Sequence, residues 1–422
     1  MRHSHSLWIL SASLAAGTQA AAPDWQHSPA AFAANVGQAP ADARFVSLTM
    51  GYELQITGEG ARLETAAKVP LAINFPGGAR SQPVAAQPLA AKFHHYAGRT
   101  AHTDVAVFAQ VRQPNVYPGI DAVYYGTQSA LEYDFVVQPG ADASQIRVRF
   151  SGQTQLAPDG SVRVTTGGID WVQRAPVAYQ LVDGKRQLVT ARTVLEEGAI
   201  RFVLGAYDHA LALTIDPILE LKRDVALFSL LGGLRLTAAP DGSFAVAGGA
   251  DPGLFGDSNI RVAKFSANGA LIFFANIAGE ERDGVAGLAI DATGAVYAAG
   301  TTGSEDLPTT PGAFQPEPSP IRCFGSFSCI VQRRLVFSPS RLDAFALKLS
   351  PAGQIVWLTY LGSGDSDGAS GIALNQANEF YITGTAGGAL SPARINFKPA
   401  ATVAPTRKAR PSSPCSTAAG PI

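Results

Sequence analysis

Two stretches in the last third of the sequence repeat one another without a gap, at an offset of 84 residues. The first begins at Lys264 and reads KFSANGALIFFANIAGEERDGVAGLAIDATGAVYAAGTT; the second begins at Lys348 and reads KLSPAGQIVWLTYLGSGDSDGASGIALNQANEFYITGTA. The matched positions are mostly glycines and turn residues: Gly269 with Gly353, Asp283 with Asp367, Gly287 with Gly371, Tyr297 with Tyr381 and Gly300 with Gly384. Such a repeat predicts short strands joined by glycine turns and repeated around an axis or along a stack.

A third, shorter copy precedes these two, because residues 239–248 overlay residues 291–300 at an offset of 52. The runs ALIFFANIAG and QIVWLTYLG are rich in aromatic and β-branched residues, as in strands buried on both faces. No stretch of the repeat sustains an apolar period of 3.6 residues. The predicted fold class is therefore all-β.

Four motifs carry a family resemblance: DAFALKLSPAG (343–353), WLTYLGSGDSDGASGIAL (357–374), FYITGT (380–385) and TTGSEDLPTTPGAFQ (301–315). They resemble the SBBP family of bacterial β-propeller repeats. The resemblance implies propeller blades over residues 225–388, with an insertion at about 317–340, and it implies no catalytic residues. A propeller usually closes with four to eight blades, whereas about three repeats are present, so we expect an incomplete β-propeller.

The preceding segment, residues 23–217, carries no copy of this repeat. Its apolar runs recur about every ten residues and Asp-Gly turns separate some of them, which predicts a β-sandwich-like domain. The motifs FAANVGQ, VYPGIDAVYYG, LEYDFVVQPGAD, APVAYQ and LTIDPIL resemble an uncharacterised domain that often precedes SBBP repeats in secreted bacterial proteins. That resemblance implies no known activity. Asp216-Pro217 marks the predicted end of this domain.

The two ends of the chain have compositions of their own. Arg2, the apolar run Leu7 to Ala16 and the small residues around Ala20 predict a signal peptide over residues 1–20. This run is too short for a permanent membrane span, so we expect a secreted protein, extracellular or at the periplasm or outer cell surface. Residues 389–422 are rich in Pro, Ala, Ser and basic residues, which predicts a disordered or aberrant tail.

The balance of charge argues against a nucleic-acid partner. The chain has 32 basic and 33 acidic residues with no basic stripe. Charged residues make up 15% of the chain, below the usual value of about 25%. This composition is typical of a loop-rich extracellular β protein.

Cys323 and Cys329 lie within IRCFGSFSCIV, in the segment that lengthens the repeat spacing from 52 to 84 residues. In an oxidising compartment a local disulfide is favoured. Metal binding by the pair is the weaker alternative, because neither a histidine nor a further cysteine lies nearby in sequence. Cys415, in the tail, is left without a predicted partner.

Two groups of residues have features of a metal site. His94, His95 and His102, with Asp104, form a histidine cluster, but its spacing is not a metal signature and a polar strand edge explains it. Asp365 and Asp367 form an oxygen-rich segment and are weak calcium candidates. In the preceding copy, Glu281 and Asp283 match these two residues, but Arg282 between them is an unsuitable metal ligand. An Asp-Gly pair also suits a tight turn that holds no ion.

Several carboxylates are spread along the predicted strands of the front segment: Glu53, Asp121, Glu132, Asp134 and Asp170. Two carboxylates held about 5–10 Å apart perform glycoside hydrolysis, but the sequence does not bring a pair together. The alternative interpretation is solvent-facing positions on strands. We therefore predict no catalytic residues, no cofactor and no confirmed metal site.

These observations favour a secreted, non-catalytic scaffold or binding protein whose partners are extracellular carbohydrate or protein. The alternative is a secreted polysaccharide-active hydrolase or lyase. Neither interpretation identifies a ligand.

We expect export to remove the first twenty residues. The small side chains of Thr18 and Ala20 stand at the positions that signal peptidase inspects, whereas a cut after Ala22 would place Pro23 directly downstream. Amino-terminal sequencing of the exported protein should begin at Ala21. An exported protein that begins at Met1 would contradict this prediction.

We also expect Cys323 and Cys329 to be joined in the exported protein, because their short separation allows ring closure and the compartment favours oxidation. Mass spectrometry without reductant should find both residues in one disulfide-linked peptide. Two free thiols in that experiment would rule out the bond.

Overall fold

The computed structural model describes residues 29–49, 53–64, 70–127, 130–221, 234–249, 259–319, 342–363 and 366–387. The described residues form β-strands and one 3₁₀ turn at Ala143–Gln145, so the predicted all-β class is confirmed. Within these ranges no helix has the length and hydropathy to cross a bilayer. Predictions for residues 1–20, Cys323, Cys329, Asp365 and residues 389–422 lie outside the described residues.

The described residues of the front region form nineteen strands in chain order. They are β1 (Phe32–Ala34), β2 (Ala43–Ser47), β3 (Glu53–Thr57), β4 (Gly60–Glu64), β5 (Leu71–Asn74), β6 (Val84–Ala97), β7 (Thr100–Tyr117), β8 (Ile120–Gly126), β9 (Ala130–Val137), β10 (Arg149–Phe150), β11 (Gln153–Leu156), β12 (Val162–Thr166), β13 (Ile169–Gln173), β14 (Val177–Val182), β15 (Lys185–Val189), β16 (Ala191–Glu196), β17 (Ala199–Leu204), β18 (Leu213–Asp216) and β19 (Ile218–Leu221).

The repeat region contains ten further described strands. They are β20 (Arg235–Ala238), β21 (Phe244–Gly249), β22 (Ile260–Phe265), β23 (Leu271–Ala278), β24 (Asp283–Ile290), β25 (Val296–Thr302), β26 (Asp343–Leu349), β27 (Ile355–Leu361), β28 (Gly368–Leu374) and β29 (Phe380–Thr385).

Antiparallel strands of the front region enclose a large hydrophobic core. Strands β1 to β4 pair in sequence order, and β1 also pairs with β7. Strand β9 pairs with β8 on one side and with β18 and β19 on the other. Alternation along these strands buries Tyr124, Tyr133 and Phe135 in the core. Pro217 separates β18 from β19, but β19 continues the same sheet beyond the predicted domain boundary.

The described residues of the repeat region form two four-stranded antiparallel meanders and one hairpin. Strands β20 to β23 pair consecutively, strands β24 to β27 do the same, and β28 pairs with β29. The offset of 84 residues maps β22 to β25 onto β26 to β29. One copy of the sequence repeat therefore begins in one sheet and ends in the next.

The matched glycines occupy positions that exclude a side chain. A Cβ atom on Gly300 would lie 1.8 Å from the carbonyl oxygen of Gly284, and one on Gly384 would lie 2.1 Å from that of Gly368. Gly353 has a φ of +93°, a conformation that glycine adopts without strain. Close strand approach and a left-handed turn thus explain why glycine recurs at these positions.

The loop formed by residues 303–316 runs along the outer edge of β27. The Thr310 amide donates to the Leu358 carbonyl over 3.2 Å, and the Tyr360 amide donates to the Gln315 carbonyl over 3.0 Å. The buried Tyr360 hydroxyl accepts from the Leu307 amide at 2.8 Å and also donates to a loop carbonyl. The loop therefore satisfies backbone groups that would otherwise form an exposed sheet edge.

Strand β6 joins the front region to the first meander, because it pairs in parallel with β23 over residues 92–97. His94 is fully buried beside this ladder. Its Nε2 donates to the Ala352 carbonyl at 2.8 Å, and its Nδ1 accepts from the Asp104 amide at 3.3 Å. Both ring nitrogens are thus satisfied in the neutral form of the imidazole.

Other polar contacts cross the same junction. The His95 Nδ1 lies 3.1 Å from the Asn276 amide nitrogen, and Arg261 pairs with Glu53 at 3.0 Å. His102 lies directly opposite His95 on the neighbouring strand β7. The predicted histidine cluster is therefore part of a structural junction between the two regions.

We expect His94 to make the junction weaker in acid. Burial lowers the pKa of His94 below its usual 6.5; the Ala352 carbonyl and Asp104 oppose this shift, and Lys92 adds to it. As pH falls below about 6.5, His94 takes up a proton more readily in the unfolded chain than in the folded one. The free energy of unfolding therefore falls.

The measurement is urea unfolding between about pH 7.5 and pH 5.5. His94→Gln should reduce the dependence of the free energy of unfolding on pH by at most about 1.4 kcal/mol per pH unit, the value for one proton. His209→Gln changes an exposed histidine and should leave the dependence unchanged. Equal behaviour of both variants would show that His94 does not titrate as expected.

Candidate functional site

The strongest concentration of perturbed ionisable groups lies on one face of the front sheet. In the β8–β9 pairing, Tyr125 lies opposite Glu132 and Val123 lies opposite Asp134. Ile215 lies opposite Phe135 in the β9–β18 pairing, so the next residue, Asp216, joins Asp134 on the same face. We name this surface, formed by β8, β9, β18, β14 and β15, the outer face.

The outer face is positioned by the core behind it. Side chains alternate along β9, so Tyr133 and Phe135 point into the hydrophobic core while Glu132 and Asp134 point away from it. The Tyr133 hydroxyl donates to the Gln173 side chain within that core. A shift of register by one residue would bury the carboxylates, so core packing fixes their location.

Asp134 is the most perturbed carboxylate of the outer face. It is 7% exposed, and the Tyr125 hydroxyl donates to its Oδ1 at 2.9 Å. Burial raises the pKa of Asp134 to about 7, the charge of Asp216 adds to this rise, and the Tyr125 hydrogen bond opposes it. Asp134 therefore exchanges its proton near neutral pH.

Two further carboxylates share this environment. Burial, followed by the charge of Asp216, raises the pKa of Glu132, and burial raises the pKa of Asp216, opposed by Arg186. The Oδ1 atom of Asp216 is buried and has no hydrogen-bond partner among the described residues. Among the described residues, Asp216 is thus an incompletely compensated carboxylate of the outer face.

Apolar side chains surround these carboxylates. Val177, Leu181 and Leu188 of β14 and β15 are exposed by 46%, 58% and 74%. The Arg186 guanidinium lies 4.2 Å from the centre of the Tyr179 ring. An open sheet surface that combines apolar, aromatic and charged groups is suited to binding.

The outer face is separate from a described cavity of about 300 Å³ in the front region. That cavity is lined by polar residues that include Asp42, Arg44, Glu59 and Arg80. Arg80 pairs with Glu59 at 2.5 Å and is largely exposed. None of the carboxylates of the outer face lines this cavity.

The other predicted carboxylates of the front segment have separate structural partners. Glu53 pairs with Arg261 at the junction, Asp121 accepts from Arg112 and from the Asn115 amide, and Asp170 accepts from the Thr165 hydroxyl at 2.6 Å. Asp121 lies opposite Val136 and so shares the outer face with Glu132 and Asp134, but Arg112 and the Asn115 amide compensate its charge.

Asp367, one of the two calcium candidates, binds groups of its own turn and the amide of Gly387, which follows β29. Its Oδ2 accepts from the Ser363 amide at 2.7 Å, and its Oδ1 accepts from the Ser363 hydroxyl and the Gly387 amide. Among the described residues, no group of three or more His, Cys, Asp or Glu side chains is placed to hold a metal. The calcium site stays a prediction, because Asp365 lies outside the described residues.

Residues 364–368 read Gly-Asp-Ser-Asp-Gly, which has the spacing of a hydrolase nucleophile motif. That motif places its serine on a turn between a strand and a helix. Here strand β28 follows at Gly368, so the structural context of a nucleophile is missing at this segment.

Sequence reasoning did not associate Asp216 with Asp134. It treated Asp216-Pro217 as a domain boundary, although the alternation in the segment EYDFVV placed Glu132 and Asp134 on one face. The pairing of β9 with β18 connects residues that are distant in sequence, and a local pattern does not specify it.

Comparison with known proteins supports the front region as one uncharacterised family domain. Residues 32–218 match a family described as a domain of unknown function, DUF7948. This is consistent with the predicted resemblance of the front segment, whereas the SBBP resemblance of the later residues stays a prediction. No curated protein sequence matches the chain significantly.

One solved structure with some similarity is a mutant glycoside hydrolase of family 81 from Clostridium thermocellum. The match has a TM-score of 0.27 and 9% identity, and it covers 57% of this chain and 31% of that one. Similarity at this level defines neither a shared fold nor a shared activity.

We expect Asp216→Asn to lower the pKa of Asp134 from about 7, because it removes the neighbouring negative charge. Carboxyl NMR titration measures this directly. A carboxyl whose pKa is raised in the folded state stabilises the fold at pH values below its pKa of 3.8 in the unfolded chain. This contribution is lost as the pH rises through about 7. The variant should therefore lose less stability between about pH 5 and pH 8.

Asp170→Asn is the matched control, since Asp170 bonds to Thr165 on another strand pair. It should leave the pKa of Asp134 unchanged. A wild-type pKa near 4 for Asp134 would contradict the assignment of the outer face.

Proposed function

We propose that this chain is a secreted bacterial scaffold or binding protein that acts without catalysis. The observation that carries this proposal is the geometry of the outer face. Asp134, the most perturbed carboxylate, is itself buried, and the open part of this surface is formed by the exposed side chains of Val177, Leu181 and Leu188. Catalytic carboxylates work in clefts that exclude water and orient a substrate, whereas an open mixed surface suits adhesion to a partner.

We further propose that the two meanders are blades of an incomplete SBBP-type propeller covering residues 225–388, with the insertion at about 317–340. The consecutive four-stranded pairing and the packing of β24 against β20 and β21 support this architecture. The front region, residues 23–217, would be the β-sandwich-like domain that precedes the blades. In this arrangement the Cys323–Cys329 disulfide closes the insertion between β25 and β26.

The proposed partners are extracellular carbohydrate or protein. Tyr179 and the exposed leucines offer apolar contact area, while Glu132, Asp134 and Asp216 accept hydrogen bonds from hydroxyl or cationic groups. The near-neutral pKa of Asp134 predicts that binding through this face changes between about pH 6 and pH 8.

A glycan array and a panel of envelope proteins, probed with the full exported protein, test this proposal. A ligand found there should bind Leu188→Asp at least about tenfold more weakly, because a charge is placed in the apolar contact. Leu156→Asp changes an exposed leucine on β11 and should bind normally. Equal binding by both variants would remove the outer face from the proposal.

The hydrolase alternative is favoured by one observation, the raised pKa of Asp134 beside a second carboxylate. A protonated acid next to an ionised carboxylate is the arrangement used in glycoside hydrolysis. Turnover of a polysaccharide that Asp134→Asn abolishes and Asp170→Asn preserves would establish hydrolysis and overturn the scaffold proposal.

A further inference from the structure

The last described hairpin, β28–β29, ends where the two preceding units continue. Strand β21 pairs with β22 and strand β25 pairs with β26. Strand β29 corresponds to both β21 and β25, yet among the described residues it pairs with β28 alone. In the two preceding units a further strand pairs along the edge that corresponds to the edge of β29 formed by Phe380–Thr385.

The second meander defines the chemistry of the strand that fits this position. Lys348 of β26 lies opposite Tyr297 of β25. Its ammonium is 4.7 Å from the centre of the Tyr297 ring and 3.7 Å from Asp291 Oδ2. Tyr297, which also contacts the rings of Trp357 and Phe380, is 3% exposed. Lys264 occupies the same position on β22, and its ammonium donates to the Gly294 carbonyl at 2.6 Å.

The corresponding groups of β29 are arranged to receive such a lysine. Tyr381 takes the place of Tyr297 and is 54% exposed. Its hydroxyl donates to Glu379 Oε2 at 3.0 Å, and the Asn375 amide donates to the same oxygen at 2.6 Å. Asn375 replaces Asp291 in the repeat, so the carboxylate beside the tyrosine is supplied by Glu379 instead.

We propose that the edge of β29 is an acceptor site for a β-hairpin from another polypeptide. The first strand of that hairpin has the apolar alternation of β26 and carries a lysine opposite Tyr381. Its ammonium lies over the Tyr381 ring and pairs with Glu379, as Lys348 does with Tyr297 and Asp291. This surface is distinct from the outer face, so the inference goes beyond the proposed function.

The outer edges of the meanders are covered in this region. A hairpin is therefore the favoured partner, because its second strand covers the edge of the strand that pairs with β29. The outer edge of β23 is paired with β6, and that of β27 is bonded to the loop at 303–316. Backbone hydrogen bonds contribute most of the affinity in strand addition, and side-chain pockets contribute specificity. The face behind the site is preformed, since Phe380 lies 5.5 Å from the Tyr297 ring and 5.7 Å from Trp357.

The test uses the full exported protein and a synthetic peptide with the sequence of residues 343–361, which form β26, its turn and β27. Ala299 lies opposite Ala346 in the β25–β26 pairing, and Thr383 corresponds to Ala299. Thr383→Cys should therefore form a disulfide with a peptide that carries Ala346→Cys. Peptides with cysteine at Phe345 or Leu347 present it on the other face and should react much less.

Charge reversal tests the lysine contact separately. A peptide with Lys348→Glu should bind about fivefold more weakly, as expected for an exposed ion pair. The protein variant Glu379→Lys should restore its binding, and Glu379→Gln should bind both peptides with similar affinity. Ser370→Cys, on β28, is the cross-linking control and should not react.

Selective cross-linking at Thr383 together with the charge rescue would establish the acceptor site. Failure of the peptide to bind the full chain would overturn the proposal. So would cross-linking of Thr383→Cys to a second copy or within its own chain when the peptide is present in excess, because the edge would then have a different occupant.

Discussion

The fold depends on covering the backbone groups at strand edges. A strand at the edge of a sheet presents unpaired N–H and C=O groups, which attract water or another strand. Strand β23 meets this requirement by pairing in parallel with β6 of the front region, and β27 meets it through the loop at 303–316. The first of these pairings joins the front region and the repeats, and it places His94 and His95 in a buried position.

The front sheet has two faces with different roles. Tyr124, Tyr133 and Phe135 are buried behind it and fix the register of the strands. The same register places Glu132, Asp134 and Asp216 together on the opposite face, where burial raises the pKa of each carboxyl and the charge of Asp216 adds to the rise at Glu132 and Asp134. Perturbed ionisation at this surface is therefore a direct consequence of core packing.

The repeats show how one sequence pattern gives different local chemistry. Asp283 and Asp367 occupy matched positions; Asp283 accepts from the Ser304 hydroxyl beyond the end of β25, whereas Asp367 accepts from the nearby Ser363 amide and hydroxyl. Burial raises the pKa of Asp283 to about 7. These acids thus connect the starts of β24 and β28 to other parts of the chain, and calcium binding at Asp365 and Asp367 stays a prediction.

The sequence by itself determined the all-β class, the strand-forming segments and the glycines at Gly300, Gly353 and Gly384. These features follow from alternation and turn geometry, which act over a few residues. Only the tertiary structure decided that β6 pairs with β23 and that Asp216 lies beside Asp134. The physical reason is that hydrogen bonding between strands accepts almost any sequence, so pairing between distant segments is selected by the packing of the whole core.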